Sequence, residues 1–204
     1  MTLARSRKND PAGMRNRVLD VAAAAFQSRG FLATSTHDIV RSAGITGGAL
    51  HHHFPSKKSL ALAVIADRVA TEVAETWIKT VRDAPTAAAG IVAVFSVVVT
   101  SLDERGSVSG CPLGNLALEL SLADEELRVA LLQEYDAWRE AISSKLQADA
   151  AAGRAAFASG DPDGFANVVV ALFSGAMTIA KAEQGSGAVK ACLDQLRRTM
   201  ADDL

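Results

Sequence analysis

The sequence predicts an all-α protein with a small three-helix head at its N-terminus and a body of roughly six longer helices. Three observations support this prediction. Apolar residues make up 49% of the 204 residues and aromatic residues only 5%, and the alanine and leucine that dominate the apolar set favour helices. Apolar residues recur three and four positions apart along most of the chain, as in amphipathic helices. Stretches with the alternating pattern of a half-buried strand are absent, so a mixed α/β fold is disfavoured.

The first two helices of the head are marked by periodicity and by capping residues. A first helix is expected from about Met14 to Arg29, because its apolar positions follow helical spacing and a glycine comes next. Those apolar positions are Val18, Ala22, Ala25 and Phe26. A short second helix is expected after Ser35, which can cap it, and Asp38 provides a weaker form of the capping box. It would end near Ala43 and Gly44.

Two further capping residues start the third and fourth helices. Thr46 can cap a very short third helix that carries three consecutive histidines, His51–His53, and that closes at Phe54-Pro55. Ser56 can cap a long fourth helix that extends to about Arg82. We therefore place the head at residues 1–58, with a basic N-terminal arm, and the body at residues 59–204.

Further helical patterns in the sequence indicate the helices of the body. A helix around residues 91–102 has apolar positions spaced 4, 3, 4, and Pro112 suits the first turn of the next helix. Residues 127–146 form the clearest amphipathic helix, with spacings of 4, 4, 3, 4, 4. Asp161-Pro162 starts a helix that reaches about Ala182, and residues 189–200 form the last one.

The charge distribution separates the head from the body. The first 60 residues contain nine Lys/Arg and three Asp/Glu, whereas the rest contains twelve and twenty. A basic head on an acidic body predicts a polyanionic partner for the head alone. The basic residues 5–8 precede no apolar segment, the longest uncharged stretch (164–180) is short for a membrane span, and the two cysteines match no zinc or redox spacing. We expect a cytoplasmic protein with no cofactor, no metal and no membrane partner.

Two short helices joined by a tight turn at Gly44 can present the second helix to the major groove of DNA. Shape alone leaves open a helical hairpin that packs only for stability. Residues 31–60, FLATSTHDIVRSAGITGGALHHHFPSKKSL, resemble the DNA-binding signature of TetR-type transcriptional repressors. The resemblance covers residues 14–64 without a gap, and the turn glycine, the Leu-x-x-His-Phe, the Ser-Lys and the following leucine occur at the family's spacing. It implies a DNA-binding head on a ligand-binding body.

The resemblance also implies which residues contact DNA. Thr36, His53 and Lys57 would contact phosphates, which suits a helix N-terminus and a long cationic side chain. Base-facing positions would be His37, Thr46, Gly47, Gly48 and His51. Ser35 and His52 complete the predicted DNA-binding set.

Two residues depart from the family pattern at the recognition helix. His51 stands where the family usually has tyrosine, and Gly47 where a long polar residue is frequent. Together with Gly48, this predicts a helix that reads bases with fewer side chains. A metal site at the three histidines is disfavoured, because consecutive residues of a helix point about 100° apart.

The body is expected to supply a dimer interface and a pocket. The resemblance implies a homodimer, formed by the last two helices, on a palindromic DNA operator; an internal core helix is the alternative. The predicted interface residues are Phe165, Val169, Leu172, Ala176, Ile179, Leu193 and Leu196. The predicted pocket for a small-molecule inducer is lined by Phe95, Val98, Leu102, Cys111, Leu113, Asn115, Leu116, Gln133, Trp138, Phe173 and Met177.

The segment at residues 110–119, GCPLGNLALE, resembles a pattern in a branch of the family that includes multidrug-resistance repressors and electrophile sensors. A thiolate at Cys111 would be stabilised by the helix N-terminus that follows it. A buried and inert cysteine is the favoured alternative. The sequence thus predicts a repressor that a small, largely apolar ligand releases from DNA. The alternatives are a helical binding or scaffold protein, or a thiol-based sensor; an enzyme is not expected.

Overall fold

The computed structural model describes residues 10–154 and 160–200, and within them it contains nine helices and no strand. The all-α prediction is confirmed. The basic residues 5–8 of the predicted arm lie outside the described residues. The helices are α1 (Pro11–Arg29), α2 (Thr36–Ala43), α3 (Gly47–His53), α4 (residues 57–83), α5 (Ala87–Arg105), α6 (Pro112–Leu120), α7 (Glu125–Ala151), α8 (Pro162–Glu183) and α9 (Gly187–Thr199).

Side-chain caps fix the starts of the head helices. Ser35 Oγ accepts from the Asp38 amide at 3.1 Å while the Asp38 carboxylate accepts from the Ser35 amide, so the capping box is complete. Thr46 Oγ1 accepts from the Ala49 amide at 3.2 Å and caps α3 in the same way. These contacts join residues three apart, so the sequence alone could place them. The first helix begins at Pro11, earlier than expected, because the preceding Asp10 caps it.

Helix α4 connects the head to the body as one continuous rod. It starts at the Ser56 cap, as expected, and includes two π-helical turns, Ile65–Val69 and Ala74–Ile78. A π-helical turn locally changes which side chains face the core, and such turns occur often at functional sites. Here both turns contribute to the wall of the body's cavity, through Val69 of the first and Thr76 and Trp77 of the second.

One continuous hydrophobic core extends from the head into the body. In the head, α2 and α3 are anchored by Ile39 and Leu50, which are 0% and 6% exposed. In the body, the centre is a cluster of aromatic rings from α4, α5, α7 and α8. The rings belong to Trp77, Phe95, Trp138 and Phe173, with centroids 4.7 to 5.9 Å apart. The predicted head boundary at residue 58 falls within the first turn of α4 and stays a prediction.

Two helices of the body, α5 and α8, are long and apolar enough to cross a membrane by length and composition. Core helices of a helical bundle meet the same criterion. In this fold α8 packs between α7 and α9, and α9 packs on α5. Their apolar composition is therefore used for packing inside the bundle.

Candidate nucleic-acid interface and ligand cavity

The polar residues predicted to meet DNA lie on one open surface of the head. Leu50 and Phe54 are buried and hold the inner side of α3 against the core. That packing turns the polar side of α3 outward. The exposed residues of the predicted set are Ser35, Thr36, His37, Thr46, Gly47, Gly48, His51 and His52, whereas His53 is half-buried.

The fold itself does not require glycine at the first two positions of α3. Apart from the helix's own backbone, a Cβ added to Gly47 or Gly48 would meet no atom within 4 Å. Neither residue has a positive φ, the usual requirement for glycine. Each nevertheless costs a helix about 1 kcal/mol relative to alanine. No contact within the described chain therefore accounts for glycine at these two positions.

The three adjacent histidines do not form a joint site. The rings of His52 and His53 meet edge to face with centroids 5.3 Å apart, and the His53 ring lies 6.3 Å from that of Phe54. Within residues 10–154 and 160–200, no group of three or more His, Cys, Asp or Glu side chains has a geometry that could hold a metal ion. His51 and His52 are exposed and available to an external partner.

Lys57 departs from its expected place. Its ammonium donates to the Phe31 carbonyl at 2.5 Å and lies 4.1 Å from the centre of the Phe31 ring. Burial lowers the pKa of Lys57, although the nearby Glu119 carboxylate opposes this effect. In this structure one N–H of Lys57 therefore closes the turn between α1 and α2, and the contact of Lys57 with a phosphate stays a prediction. The sequence could not show this, because residues 31 and 57 meet only in the folded head.

A cavity of about 410 Å³, partly open to solvent, lies in the body between α4, α5, α6, α7, α8 and the loop before α6. Seven of the predicted pocket residues line it: Val98, Leu102, Cys111, Leu113, Trp138, Phe173 and Met177. A second cavity of about 210 Å³ lies against α1 and is lined by Leu116. The two cavities share Gln27, Val69, Glu72 and Pro112 as walls, so the space continues from the body toward the head.

Three predicted pocket residues line neither of these two cavities. Phe95 is fully buried behind it, edge to face against Trp77 and Phe173. Gln133 is exposed on the outer side of α7, and Asn115 lies in a polar network described below. Helical spacing indicates which face of a helix is apolar but not how deep a residue lies, and this explains the three errors.

Several wall residues were missed by sequence reasoning. Trp77 and Glu72 line the cavity from α4, Gln27 from α1 and Arg105 from the end of α5. Burial raises the pKa of the Glu72 carboxyl, and the positive charge of Arg105 partly opposes this rise. A signal existed for Glu72, because it stands beside an apolar stripe formed by Val69, Val73 and Trp77.

The pKa of the Cys111 thiol favours the alternative of a buried, inert cysteine. The thiol lines the cavity, and burial raises its pKa to about 11, against hydrogen bonds from the Gly114 and Leu113 amides that lower it. A group with that pKa is almost entirely protonated at neutral pH. The stabilised thiolate that the sequence suggested is therefore wrong for this structure, because burial outweighs the helix N-terminus.

A polar network links the cavity wall to the head. Gln27 of α1 donates to the Gly110 carbonyl at 2.6 Å and accepts from the Asn115 side chain at 3.0 Å. Lys181 of α8 donates to Asn115 at 3.2 Å. The loop that forms part of the cavity wall is thus tied to a helix of the head.

Glu119, at the other end of α6, makes a second link to the head. Its two carboxylate oxygens accept from the Phe31 and Leu32 amides at 3.2 and 2.9 Å. A Cβ on Gly30, whose φ is +89°, would meet Glu119 at 2.6 Å, so glycine is required there. Because α6 begins at the cavity wall and ends at this clasp, a movement of α6 reaches the turn before α2 directly.

The outward face of α8 differs from the predicted interface. Five of the predicted residues are already buried within the single chain: Phe165, Val169, Ala176, Leu193 and Leu196. The other two predicted residues, Leu172 and Ile179, lie on an outward apolar stripe of α8 together with Val168. Val168 and Ile179 are 55% and 51% exposed, and Leu172 is half-buried. The most apolar helical face was chosen from sequence, but that face packs into the chain's own core.

Two family models match the chain. Residues 18–64 match the model described as bacterial regulatory proteins, tetR family. Residues 87–199, more than half of the chain, match the model described as the C-terminal domain of LmrA/YxaF-like transcriptional regulators. The first covers the surface of α2 and α3, and the second covers most of the cavity wall.

Individual proteins show the same similarity. The HTH-type transcriptional regulator LmrA of Bacillus subtilis is 31% identical over 65% of this chain and 71% of its own length. The uncharacterized HTH-type regulator YxaF of the same organism is 29% identical over 65% and 69%. A crystal structure of a TetR transcriptional regulator from Chloroflexus aurantiacus superposes with a TM-score of 0.83 at 28% identity, covering 94% of this chain and 96% of that one.

Proposed function

This chain belongs to the TetR family of transcriptional regulators, and we propose that it represses transcription as a homodimer that a small molecule releases from a palindromic operator. The observation that supports this most directly is the start of α3, where two glycines leave an open surface beside exposed Thr46 and His51. A helix without side chains at its first turn allows close approach of its backbone to DNA.

In this proposal the head reads DNA with few side chains. His37, Thr46 and His51 contact base edges, and Thr36 and His53 contact phosphates. The Lys57 ammonium holds the turn between α1 and α2 that carries these residues. Phosphate contacts fix the register of the head, whereas base contacts give the sequence preference. With two glycines in the groove, DNA shape supplies part of the specificity.

The dimer is formed through the outward stripe of α8. Val168, Leu172 and Ile179 lie on one side of that helix, and a Cβ added to Gly175 between them would meet no atom within 4 Å. Pairing two such stripes would bury apolar surface that the single chain leaves in water. A dimer also places two α3 helices on the half-sites of a palindrome.

Release follows from the continuity of the cavity with the head. A ligand that fills the larger cavity touches Gln27 and the start of α6, and the Glu119 clasp connects α6 to Phe31 and Leu32. A ligand can act only by binding the form that does not fit the operator better than the form that does. We assign no catalytic role to the chain, and a DNA partner places it in the cytoplasm.

The proposal is tested by selecting bound DNA from a random pool and titrating the recovered site with salt. A palindrome should be recovered, and the logarithm of the affinity should fall steeply with the logarithm of salt concentration. His51→Ala should cost about 1 to 3 kcal/mol at one base pair of each half-site, measured by fluorescence anisotropy. Arg82→Ala, at the far end of α4, is the matched control. If no sequence is enriched, the chain is a helical binding protein without DNA activity.

A further inference from the structure

The turn at residues 30–34, between α1 and α2, is held from two sides. From the body, the Glu119 carboxylate accepts from the Phe31 and Leu32 amides at 3.2 and 2.9 Å. From the start of α4, the Lys57 ammonium donates to the Phe31 carbonyl at 2.5 Å and lies 4.1 Å from the centre of the Phe31 ring. Phe31 is therefore the residue through which the end of α6 and the start of α4 are connected.

The inner side of this turn is fixed by buried contacts. Thr34 is 0% exposed, its hydroxyl donates to the Gly30 carbonyl at 2.8 Å, and its amide donates to the Phe31 carbonyl at 3.2 Å. Gly30 lies so close to Glu119 that a Cβ would be 2.6 Å from a carboxylate oxygen. A close-packed turn cannot absorb a displacement of Glu119, so the Phe31 carbonyl moves with it.

The Lys57 ammonium keeps N–H groups for a further partner. A lysine ammonium has three N–H donors. In the part of the chain that the structure describes, Lys57 makes a hydrogen bond to the Phe31 carbonyl and no salt bridge. The neighbouring Lys58 differs, because it pairs with Asp124 and Glu126 of the body at 2.8 Å each. Of these two lysines, Lys57 is the one whose charge remains available to an anion.

The position of Lys57 in the head suits a phosphate contact. It is the first residue of α4, soon after α3 ends at His53, and its anchor Phe31 precedes the start of α2 at Thr36. The ammonium thus lies between the ends of the two helices predicted to contact DNA. Because its flexible side chain is already anchored, less side-chain entropy is lost when it binds a phosphate.

We propose that Glu119 is a positioning residue for DNA binding: by holding the turn at Phe31, it keeps the Lys57 ammonium in place, and the remaining N–H groups donate to an operator phosphate. Glu119 itself touches no DNA, since its negative charge repels phosphate, so its effect comes through Phe31 and Lys57. This inference rests on the proposed function, because it concerns the contact of the head with an operator.

The link inside the chain is tested first without DNA, by hydrogen exchange. Lys57→Ala removes the anchor on the Phe31 carbonyl, so exchange at the Phe31 and Leu32 amides should become about fivefold faster. Lys58→Ala, which removes the neighbouring lysine, is the matched control and should change these rates by less than about twofold. Unchanged exchange in Lys57→Ala overturns the inference, whatever is found with DNA.

The effect on DNA is tested with the operator selected from the random pool, by fluorescence anisotropy over a series of salt concentrations. Glu119→Gln should weaken binding about fivefold and make the plot of log affinity against log salt less steep by about 0.9 for each head. Lys57→Ala should cause the same two changes. Adding Glu119→Gln to Lys57→Ala should then alter the affinity by less than about twofold, because both act on one contact.

Glu104→Gln, the same change of charge at an exposed position near the end of α5, should leave affinity and slope unchanged. Far-ultraviolet circular dichroism checks the fold of each variant. Glu119→Asp, whose side chain is one methylene shorter and cannot reach both amides from the same backbone position, replaces Glu119→Gln if that variant unfolds.

The outcomes separate this inference from the proposed function. Additive losses in the double variant, an unchanged salt slope, or tighter binding once the Glu119 charge is removed overturn the positioning role and leave the repressor proposal standing. If the selection enriches no DNA sequence, the proposed function fails, and the role of Glu119 in DNA binding fails with it even where Lys57→Ala speeds exchange. Equal, non-additive losses with a shallower salt slope support both.

Discussion

The head and the body both keep polar groups without partners, but they keep them in opposite environments. On the head, His37, His51 and His52 stand in water on an exposed surface. In the body, the Trp138 N–H is buried in the aromatic core and donates to no acceptor in the described residues. A hydrated group loses its water shell when it binds, so it contributes selectivity more than affinity, whereas a group already desolvated gains more from a matching partner.

The two regions also differ in what holds them together. The head is held by caps between residues three apart and by a small apolar core. The body depends on contacts between distant parts of the chain, such as the Gln27 to Gly110 bond across 83 residues. We therefore expect the head to move as a preformed unit, while ligand binding changes how it is attached to the body.

The strongest test of this contrast is Asp149→Ala in the body. Asp149 is fully buried, accepts from the Ala87 amide at 2.6 Å, and pairs with Arg154 at 3.0 Å and Lys145 at 3.3 Å. Its loss leaves an unpaired buried N–H and a half-buried cation, so the free energy of unfolding should fall by about 3 kcal/mol. Asp38→Ala, which removes the half-buried carboxylate of the capping box in the head, should cost about 1 kcal/mol. Urea unfolding measures both, and equal losses would contradict the contrast.

The Asp149 carboxylate should also make the stability of the protein depend on pH. Burial by itself would raise the pKa of Asp149, but the Ala87 amide and the two cations outweigh burial and lower it. Because the folded pKa lies below the unfolded value of about 3.9, the stabilising contribution of the Asp149 carboxylate is present above that pH. It is lost as the pH falls through the lower folded pKa. The stability difference between wild type and Asp149→Ala should accordingly shrink below about pH 4.

A smaller effect is expected when the clasp between the regions is weakened. Glu119→Gln replaces one acceptor oxygen by an amide that cannot accept from Phe31 or Leu32, so the local free energy of opening should fall by about 1.5 kcal/mol. Hydrogen exchange should then become roughly tenfold faster at those two amides. Exchange in the middle of α7 should stay unchanged.

Glu104→Gln, at an exposed position near the end of α5, is the control for the Glu119 variant. Faster exchange throughout the chain would mean that Glu119 supports the whole fold, not the attachment of the head.

The contrast explains what could be predicted from the sequence. The caps at Ser35, Thr46 and Ser56 and the helices they start were predictable, because each depends on residues three or four apart. The exposed surface of α2 and α3 followed from the same local pattern and from the family resemblance. Helix α1 was off by three residues only because the cap at Asp10 was overlooked.

The parts that failed all depend on contacts between distant residues. Phe95 lies behind the cavity, and Asn115 is hydrogen-bonded in the network with Gln27. Several predicted interface residues of α8 lie on its inner face. Periodicity identifies an apolar face of a helix, but not whether the chain's own core or a second subunit covers that face. For Cys111, the buried and inert alternative that the sequence analysis favoured agrees with the raised pKa of the thiol.

The smallest predicted effect concerns the glycines of α3, where stability and DNA binding should change in opposite directions. Gly47→Ala and Gly48→Ala meet no neighbouring atom, so each should raise the free energy of unfolding by about 0.5 to 1 kcal/mol. If the bare turn lies against DNA, each added methyl should weaken binding to the selected operator, measured by fluorescence anisotropy. A more stable protein with unchanged operator affinity would mean that the glycines do not face the groove, and His37, Thr46 and His51 would then have to be oriented differently.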